Sequence, residues 1–355
     1  VLVTGATGLV GSAIVEAIDD LRIVSLTRHG ARGWAAGSPR RASSASSLVP
    51  ALHGHVVPAA GERDDVIQVT GDVTAPLLGL DEPSYEELGG SVDLVLHVAG
   101  VSDFTMPAGQ TTELNVEGTR HVLAFAERAG VPLYHVSTGY VRAEGTTMNG
   151  RWGAGVYIGS KRAAEDLLEN SDALAAVIRP SIVFSHSRTG WSPSFQGLHR
   201  VIGMMLEDKI PLLPFGPTVR VDFLPRDVIG RVTAGLVRSD FRGEYWLTAG
   251  SAALEFGRIV ELLMGYGESL DLDLHPPRFV SQDMIDRLLK PAGGKAVARR
   301  IDLLVALTSH FSSSPELPSD LGDAEKGDLE DAFMRGARYW AAHQGLAAQP
   351  DEVAL

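Results

Sequence analysis

Tyr157 and Lys161 are the residues of this 355-residue chain whose types and spacing most directly suggest chemistry. They stand four apart in Gly155-Val156-Tyr157-Ile158-Gly159-Ser160-Lys161, so on a helix they share one face. A tyrosine ionises near ~10 and is a poor acid–base catalyst at neutral pH, but an ammonium close by favours the phenolate and lowers that value. A phenol poised this way can donate or accept a proton. Ser137 and Thr138 end the apolar run Leu133–Val136, where either hydroxyl could hold a substrate oxygen next to the phenol. Gly139 and Ser102 are further substrate-side candidates beside Ser137 and Thr138.

A second group of residues points to a phosphate. Val1-Leu2-Val3-Thr4 reads as a short buried strand, and Val10, Ile14, Ala17 and Ile18 then recur at helical spacing. Between them Gly5, Gly8 and Gly11, with Thr7, Leu9 and Val10, make a tight turn that a ligand's phosphates can approach and that leaves helix N–H groups aimed at them. This Gly-x-x-Gly-x-x-Gly is one residue wider at the front than the usual dinucleotide fingerprint. A second strand, 21–27, ends at Arg28. An acidic residue there suits the ribose 2′-hydroxyl of NAD, whereas an arginine suits the 2′-phosphate of NADP. Residues 21–61 carry Arg22, Arg28, Arg32, Arg40 and Arg41 and no Asp or Glu. A solvated Ser/Ala/Gly-rich loop over about 30–60 explains Arg40 and Arg41 equally well.

The elements that must position these groups alternate strand and helix. Strand 66–70 leads into Gly71-Asp72-Val73, where Asp72 either reaches an adenine amino group or closes a turn. Residues 91–100 form a nearly continuous apolar strand, of the kind buried on both faces of a parallel sheet. It ends at Ala99 and Gly100, followed by Val101, small enough to leave room for a ligand; His97 within it is expected to be a core histidine with its nitrogens bonded. A helix over 114–129, stopped by Gly130, puts Asn115 in its first turn, as a structural residue or one lining the site. After strand 133–136 and a glycine-rich loop, the helix bearing Tyr157 and Lys161 runs to about Asn170.

Composition narrows the classes. Hydrophobic content of 45% and charged content of 21% describe a soluble globular protein, and a net charge of −13 argues against non-specific nucleic-acid binding. Zero cysteines exclude disulfides and thiolate metal sites, which fits a cytoplasmic setting, and no metal site is expected. Neither an apolar run long enough to span a membrane nor a signal peptide is visible, although the chain begins inside a strand without an initiator Met.

Taken in order, these segments resemble the extended short-chain dehydrogenase/reductase family. The matching pieces are Thr4 to Gly11, Gly71-Asp72-Val73, His97-Val98-Ala99-Gly100, Asn115-Val116-Glu117-Gly118-Thr119, Val136-Ser137-Thr138, Tyr157 to Lys161, and Ile178-Arg179-Pro180-Ser181-Ile182-Val183. Gly71 to Leu80 and Val221-Asp222-Phe223-Leu224-Pro225-Arg226-Asp227-Val228 resemble the thioester-reductase and fatty-acyl-reductase branch, with its male-sterility type of NAD-binding domain. The resemblance implies a Rossmann-type doubly wound parallel α/β sheet binding NADPH rather than NADH. It makes Tyr157 the acid, has Lys161 hold the ribose and assist it, lets Thr138 orient the carbonyl and Asn115 support a proton relay, and puts Pro180, Ser181 and Ile182 near the nicotinamide.

On this reading 1–190 is the nucleotide domain, with 220–250 returning to it, while 191–219 and 251–355 form a smaller, mainly helical substrate-binding region. A helix over about 191–209 carries Leu198, Ile202 and Met205; later stripes are Phe256, Ile259, Val260 and Leu263, then Met284, Ile285, Leu288 and Leu289, then Phe333, Ala337 and Trp340. The expected activity is NADPH-dependent reduction of an acyl thioester or the derived aldehyde, with an acyl-carrier protein as a partner that the arginines of 28–41 could attract. Rival readings are a secondary-alcohol dehydrogenase or ketoreductase, a nucleotide-sugar epimerase, and a non-catalytic NADP-binding regulator. The last tends to lack the Tyr/Lys pair present here.

Overall fold

The computed structural model describes residues 1–28, 56–57, 65–102, 106–142, 154–281, 284 and 316–348. In chain order its elements begin β1 (Leu2–Thr4), α1 (Leu9–Ala17), β2 (Ile23–Thr27), β3 (Val56–Val57), β4 (Val66–Thr70), α2 (Glu82–Gly90) and β5 (Val95–His97). They continue α3 (Ala108–Thr112), α4 (Gly118–Ala129), β6 (Leu133–Val136), α5 (Ala154–Leu168), β7 (Leu174–Pro180), β8 (Ile182–Phe184) and α6 (Leu198–Leu206). The rest are β9 (Leu212–Leu213), β10 (Arg220–Val221), β11 (Phe223–Pro225), α7 (Arg226–Arg238), β12 (Gly243–Leu247), β13 (Leu254–Glu255), α8 (Phe256–Ser269), β14 (Arg278–Phe279), α9 (Asp323–Lys326) and α10 (Leu329–His343).

Two compact units divide them. The first takes Val1–Val141, Met148–Pro180 and Arg226–Leu247; the second takes Arg142–Thr147, Ser181–Pro225 and Thr248–Leu355. The first unit holds an eight-stranded sheet in the order β12-β7-β6-β5-β1-β2-β4-β3. Seven strands run parallel, and only Val56–Val57 is antiparallel, against β4. Parallel strands need crossovers, and the helices supply them while burying Leu2, Val24, Leu26, Val69, Leu88, Val95, Val122, Phe125 and Leu133 in one cluster. Strand order reverses between β1 and β5, the switch point where ligands enter open α/β sheets.

Several expected boundaries move. The strand at 91–100 pairs only over Val95–His97, because Thr4 Oγ1 takes the Ala99 N–H at 3.2 Å and the chain turns out of the ladder there. The helix expected from 114 begins at Ala108, and the loop expected over 30–60 contributes the Val56–Val57 edge strand. Arg32, Arg40 and Arg41 lie outside the described residues.

In the second unit, β8 pairs with β11, and Phe184 stacks on His199 and Phe333 with Phe223 edge-on at 5.5 Å. Here α6 is shorter than the expected 191–209 helix, since Pro193 and the positive φ of Gly197 hold the preceding segment out of helix. The Phe256 to Leu263 and Phe333 to Trp340 stripes are buried; of the Met284 stripe only Met284 is described, 50% exposed.

Candidate active site

The glycine turn follows from the packing of β1 and α1. Gly5 has φ +73°, and a Cβ there would fall 2.6 Å from Ala99 N, so neither its conformation nor its space admits a side chain. A Cβ on Gly11 would lie 2.1 Å from Gly5 O, whereas on Gly8 it would meet only Gly5 O, at 3.3 Å. Thr7 and Gly8 are exposed, and Gly8 N–H donates to Gly5 O at 3.0 Å. The first-turn amides of Leu9, Val10 and Gly11 lack helical partners by geometry and sit at the positive end of α1. Arg226, fully buried, pins this helix by donating to Glu16 at 2.7 and 3.1 Å and to Ser12 Oγ at 2.8 Å. Such a cradle, glycine where phosphate would approach and fixed from behind, fits a dinucleotide's pyrophosphate.

Arg28 follows β2, next to β1, and is exposed. Asp72 closes a turn: its Oδ1 accepts from Thr74 N–H at 2.9 Å and from Thr74 Oγ1 at 2.8 Å, and Val73 is buried behind it.

Helix α5 carries the catalytic candidates. Tyr157 is partly buried and hydrogen-bonded to the side chain of Thr138, which is buried at the end of β6 and makes longer contacts of 3.5 Å to Pro180 O and Tyr140 N–H. Desolvation pushes the phenol up to about 12, and the Thr138 bond pulls against it. This corrects the expectation that Lys161 lowers it. The Lys161 ammonium is instead turned onto Val136 O at 2.9 Å, and burial lowers its pKa to about 8 with the Glu165 carboxylate opposing. A Cβ on Gly100 would stand 3.3 Å from Lys161 Nζ and 3.0 Å from Asn115 Oδ1, so this exposed glycine leaves both groups their space. Ser137 is buried, its Oγ without a hydrogen-bond partner among the described residues, while Gly139 is buried in the turn after it and Ser102 is exposed beyond Val101.

Asn115 is not in a first turn. It sits in a wide turn, Glu113–Glu117, where Gly118 N–H reaches back five residues to Glu113 O between α3 and α4. Such one-turn bulges cluster at functional sites. Its amide is fully spent on structure, accepting from Val101 N–H at 2.8 Å and donating to Val101 O at 3.1 Å and to Ser160 Oγ at 2.8 Å. Ser160 Oγ in turn donates to Tyr157 O at 2.7 Å.

A buried chain reaches the same residue from behind. Thr119 Oγ1 donates to Asn115 O at 2.7 Å, so it must accept from His97 Nε2–H at 3.0 Å. His97 Nδ1 then accepts from Thr4 Oγ1 at 2.7 Å, and that oxygen accepts the Ala99 N–H. Both nitrogens of His97 are bonded, as expected, and burial drives its pKa down to about 3.

Pro180 closes β7 in this unit, whereas Ser181 and Ile182 open the second, Ser181 buried and Ile182 paired with Phe223. Sequence reasoning passed over Ser160, Thr119 and Thr4, whose partners are 22 to 93 residues away, and the buried Arg179. An arginine inside the apolar run of β7 was the available signal for the last.

The sheet order and the glycine turn at its switch point define a nucleotide-binding α/β domain of the extended short-chain dehydrogenase/reductase class, a class of oxidoreductases. Residues 3–233 match the family model described as male sterility protein, an NAD-binding domain, and the chain belongs to that family. Among curated proteins it is similar to a hybrid PKS-NRPS synthetase of Macrophomina phaseolina, 30% identical over 175 residues, 49% of this chain and 4% of that one. It is also similar to a putative fatty acyl-CoA reductase of Drosophila melanogaster, 24% identical over 280 residues, 66% of this chain and 54% of that one. The chain therefore spans about half of the second relative and a small part of the first. The terminal R domain of the myxalamid PKS-NRPS pathway shares its fold at TM-score 0.67 and 21% identity, covering 99% of this chain and 92% of that one. A thiolation-reductase di-domain from an archaeal non-ribosomal peptide synthetase does so at 0.65 and 16%, covering 98% and 76%. Among the described residues no helix is long and apolar enough to cross a membrane.

Proposed function

We propose that the chain is an NADPH-dependent reductase of an acyl thioester or the derived aldehyde. The observation that carries the reading is the Tyr157–Thr138 hydrogen bond at the carboxyl end of β6, with Lys161 one turn further along the same helix. A nicotinamide dinucleotide, when bound, supplies the hydride. Tyr157 then gives its proton to the carbonyl oxygen, and Thr138, bonded to the phenol, offers that oxygen a second contact. A phenol held up near 12 keeps its proton at neutral pH, the form that reduction uses and alcohol oxidation does not. Lys161 stays largely charged at neutral pH, in a position to bind ribose hydroxyls.

The relative named as a putative fatty acyl-CoA reductase, and the fold shared with a thiolation-reductase di-domain, support a thioester carbonyl over a ketone or a sugar. The thiolation-reductase di-domain supports a carrier-tethered acyl group in particular, and Arg28 supports NADPH over NADH. The reading is tested by oxidation of NADPH with an acyl-CoA, an acyl-carrier thioester, an aldehyde and a ketone, and in parallel by product analysis of a nucleotide sugar incubated with oxidised cofactor, since epimerisation consumes no NADPH. Turnover with the first three and not the last two is expected; turnover of the ketone or sugar alone overturns it.

A further inference from the structure

Arg179, on β7, is almost fully buried, with 2% of its side chain exposed. Its guanidinium donates to Glu165 from Nε at 3.1 Å and from Nη2 at 2.8 Å, and to Glu244 from Nη1 at 2.6 Å and Nη2 at 2.9 Å. Trp246 covers its face at 4.9 Å. One cation thus holds two carboxylates, which leaves the cluster one negative charge in surplus. Glu165 is four residues beyond Lys161 on α5, as Lys161 is four beyond Tyr157, and its side chain is only 14% exposed. Lys161 reaches Val136 O on β6, and Val136 pairs with Ile178, the residue before Arg179. Glu165 is therefore ion-paired to the buried guanidinium and lies one helical turn from the buried ammonium.

We infer that Glu165, fixed by Arg179, is the positioning residue whose charge keeps Lys161 protonated in its buried seat before any ligand arrives. The other groups facing Lys161 do not supply this. His97 on β5 and His135 on β6 are held neutral by burial, and both are affected by the Lys161 charge. Tyr157 is a neutral phenol on the same helix, and Asn115 an amide. Arg179 is a like charge, and Glu244 lies on the far side of it with half its side chain exposed. Glu165 alone of these brings a buried negative charge.

For catalysis the inference rests on the reductase reading; for the lysine itself it does not, and the test separates the two. The chain has five lysines, so selective isotopic labelling followed by NMR titration of the full chain resolves Lys161, assigned by the signal that Lys161→Met removes. Glu165→Gln, which keeps the shape but not the charge, is expected to lower the Lys161 midpoint by about 1 pH unit or more. Glu244→Gln, which takes the same charge from Arg179, is expected to leave it within about 0.3, since it lies beyond the guanidinium. Equal movement in both variants, or none in either, overturns the inference. Should Glu165→Gln not fold, judged by the other four lysine signals, Glu165→Asp serves: it still pairs with Arg179 but withdraws the charge, and an unmoved midpoint there overturns the inference too. The alkaline limb of kcat/KM is expected to move with the midpoint. If the midpoint moves and the limb stays, the electrostatic link stands and the reductase role of Lys161 falls.

Discussion

Asn115 grips the backbone of Val101 on both sides, accepting its N–H at 2.8 Å and donating to its carbonyl at 3.1 Å. The segment that leaves β5 at the switch point is thereby tied to the wide turn of Glu113–Glu117, and through Ser160 to the backbone of Tyr157. Aspartate is nearly the same shape but cannot donate to two oxygens. Asn115→Asp is therefore expected to destabilise the chain by about 2 kcal/mol or more. The loss grows as pH rises past the carboxylate range, because burial raises the folded-state pKa above the unfolded one. Thermal unfolding at pH 4 and pH 8 measures it, and equal midpoints for variant and parent at pH 8 contradict it.

Two glycines of the first turn, Gly11 and Gly8, are expected to differ in kind. Gly11→Ala drives a methyl into Gly5 O at 2.1 Å, backbone against backbone, and is expected to cost about 3 kcal/mol. Gly8→Ala meets one atom at 3.3 Å and is expected to fold within about 1 kcal/mol of the parent while losing NADPH affinity. Denaturant unfolding and cofactor titration on both variants decide it; the reverse ranking refutes the packing account.

Lys161 carries a cost. A depression from 10.5 to about 8 corresponds to about 3 kcal/mol of stability given up at neutral pH to bury the charge. With the folded value below the unfolded one, the penalty is full below about 8 and fades as pH rises toward 10.5. Lys161→Met is thus expected to be more stable than the parent at pH 7, with the margin shrinking by pH 10, and to be inactive. Unfolding free energies at the two pH values check the sign, and a less stable variant at pH 7 contradicts it.

Removal of the phenol is expected to separate chemistry from binding. Tyr157→Phe should lower turnover by more than about 100-fold while NADPH affinity stays within a few-fold, the size of effect expected of a positioned acid. Near-normal turnover sinks the proposed mechanism.

Arg28 should decide the cofactor. Arg28→Ala is expected to lower the kcat/KM ratio of NADPH over NADH by about 10- to 100-fold, the worth of one charge-assisted contact to a phosphate. An unchanged ratio removes Arg28 from the site.

Much of the site was legible because it is written locally. The glycine turn, the strand end at Thr138 and the four-residue interval of Tyr157 and Lys161 all declare themselves within a few residues. What escaped depends on distance or on weak patterning. Residues 108–112, Ala-Gly-Gln-Thr-Thr, have no apolar period, so the early start of that helix and the wide turn after it leave no trace in the sequence. The partners of Asn115, at Val101 and Ser160, lie 14 and 45 residues away. Lys161 failed to lower the phenol's pKa because the short strand end at Val136 offers it a carbonyl, and burial dominates the balance at Tyr157.

The hydrogen bonds from Thr4 through His97 and Thr119 to Asn115 all point one way, starting at an amide N–H and ending at a carbonyl oxygen. Neither end can release or take up a proton, and the imidazole between them stays neutral down to about pH 3. The chain is therefore an insulator: it ties β1 and β5 to the turn that holds Asn115 without conducting a proton.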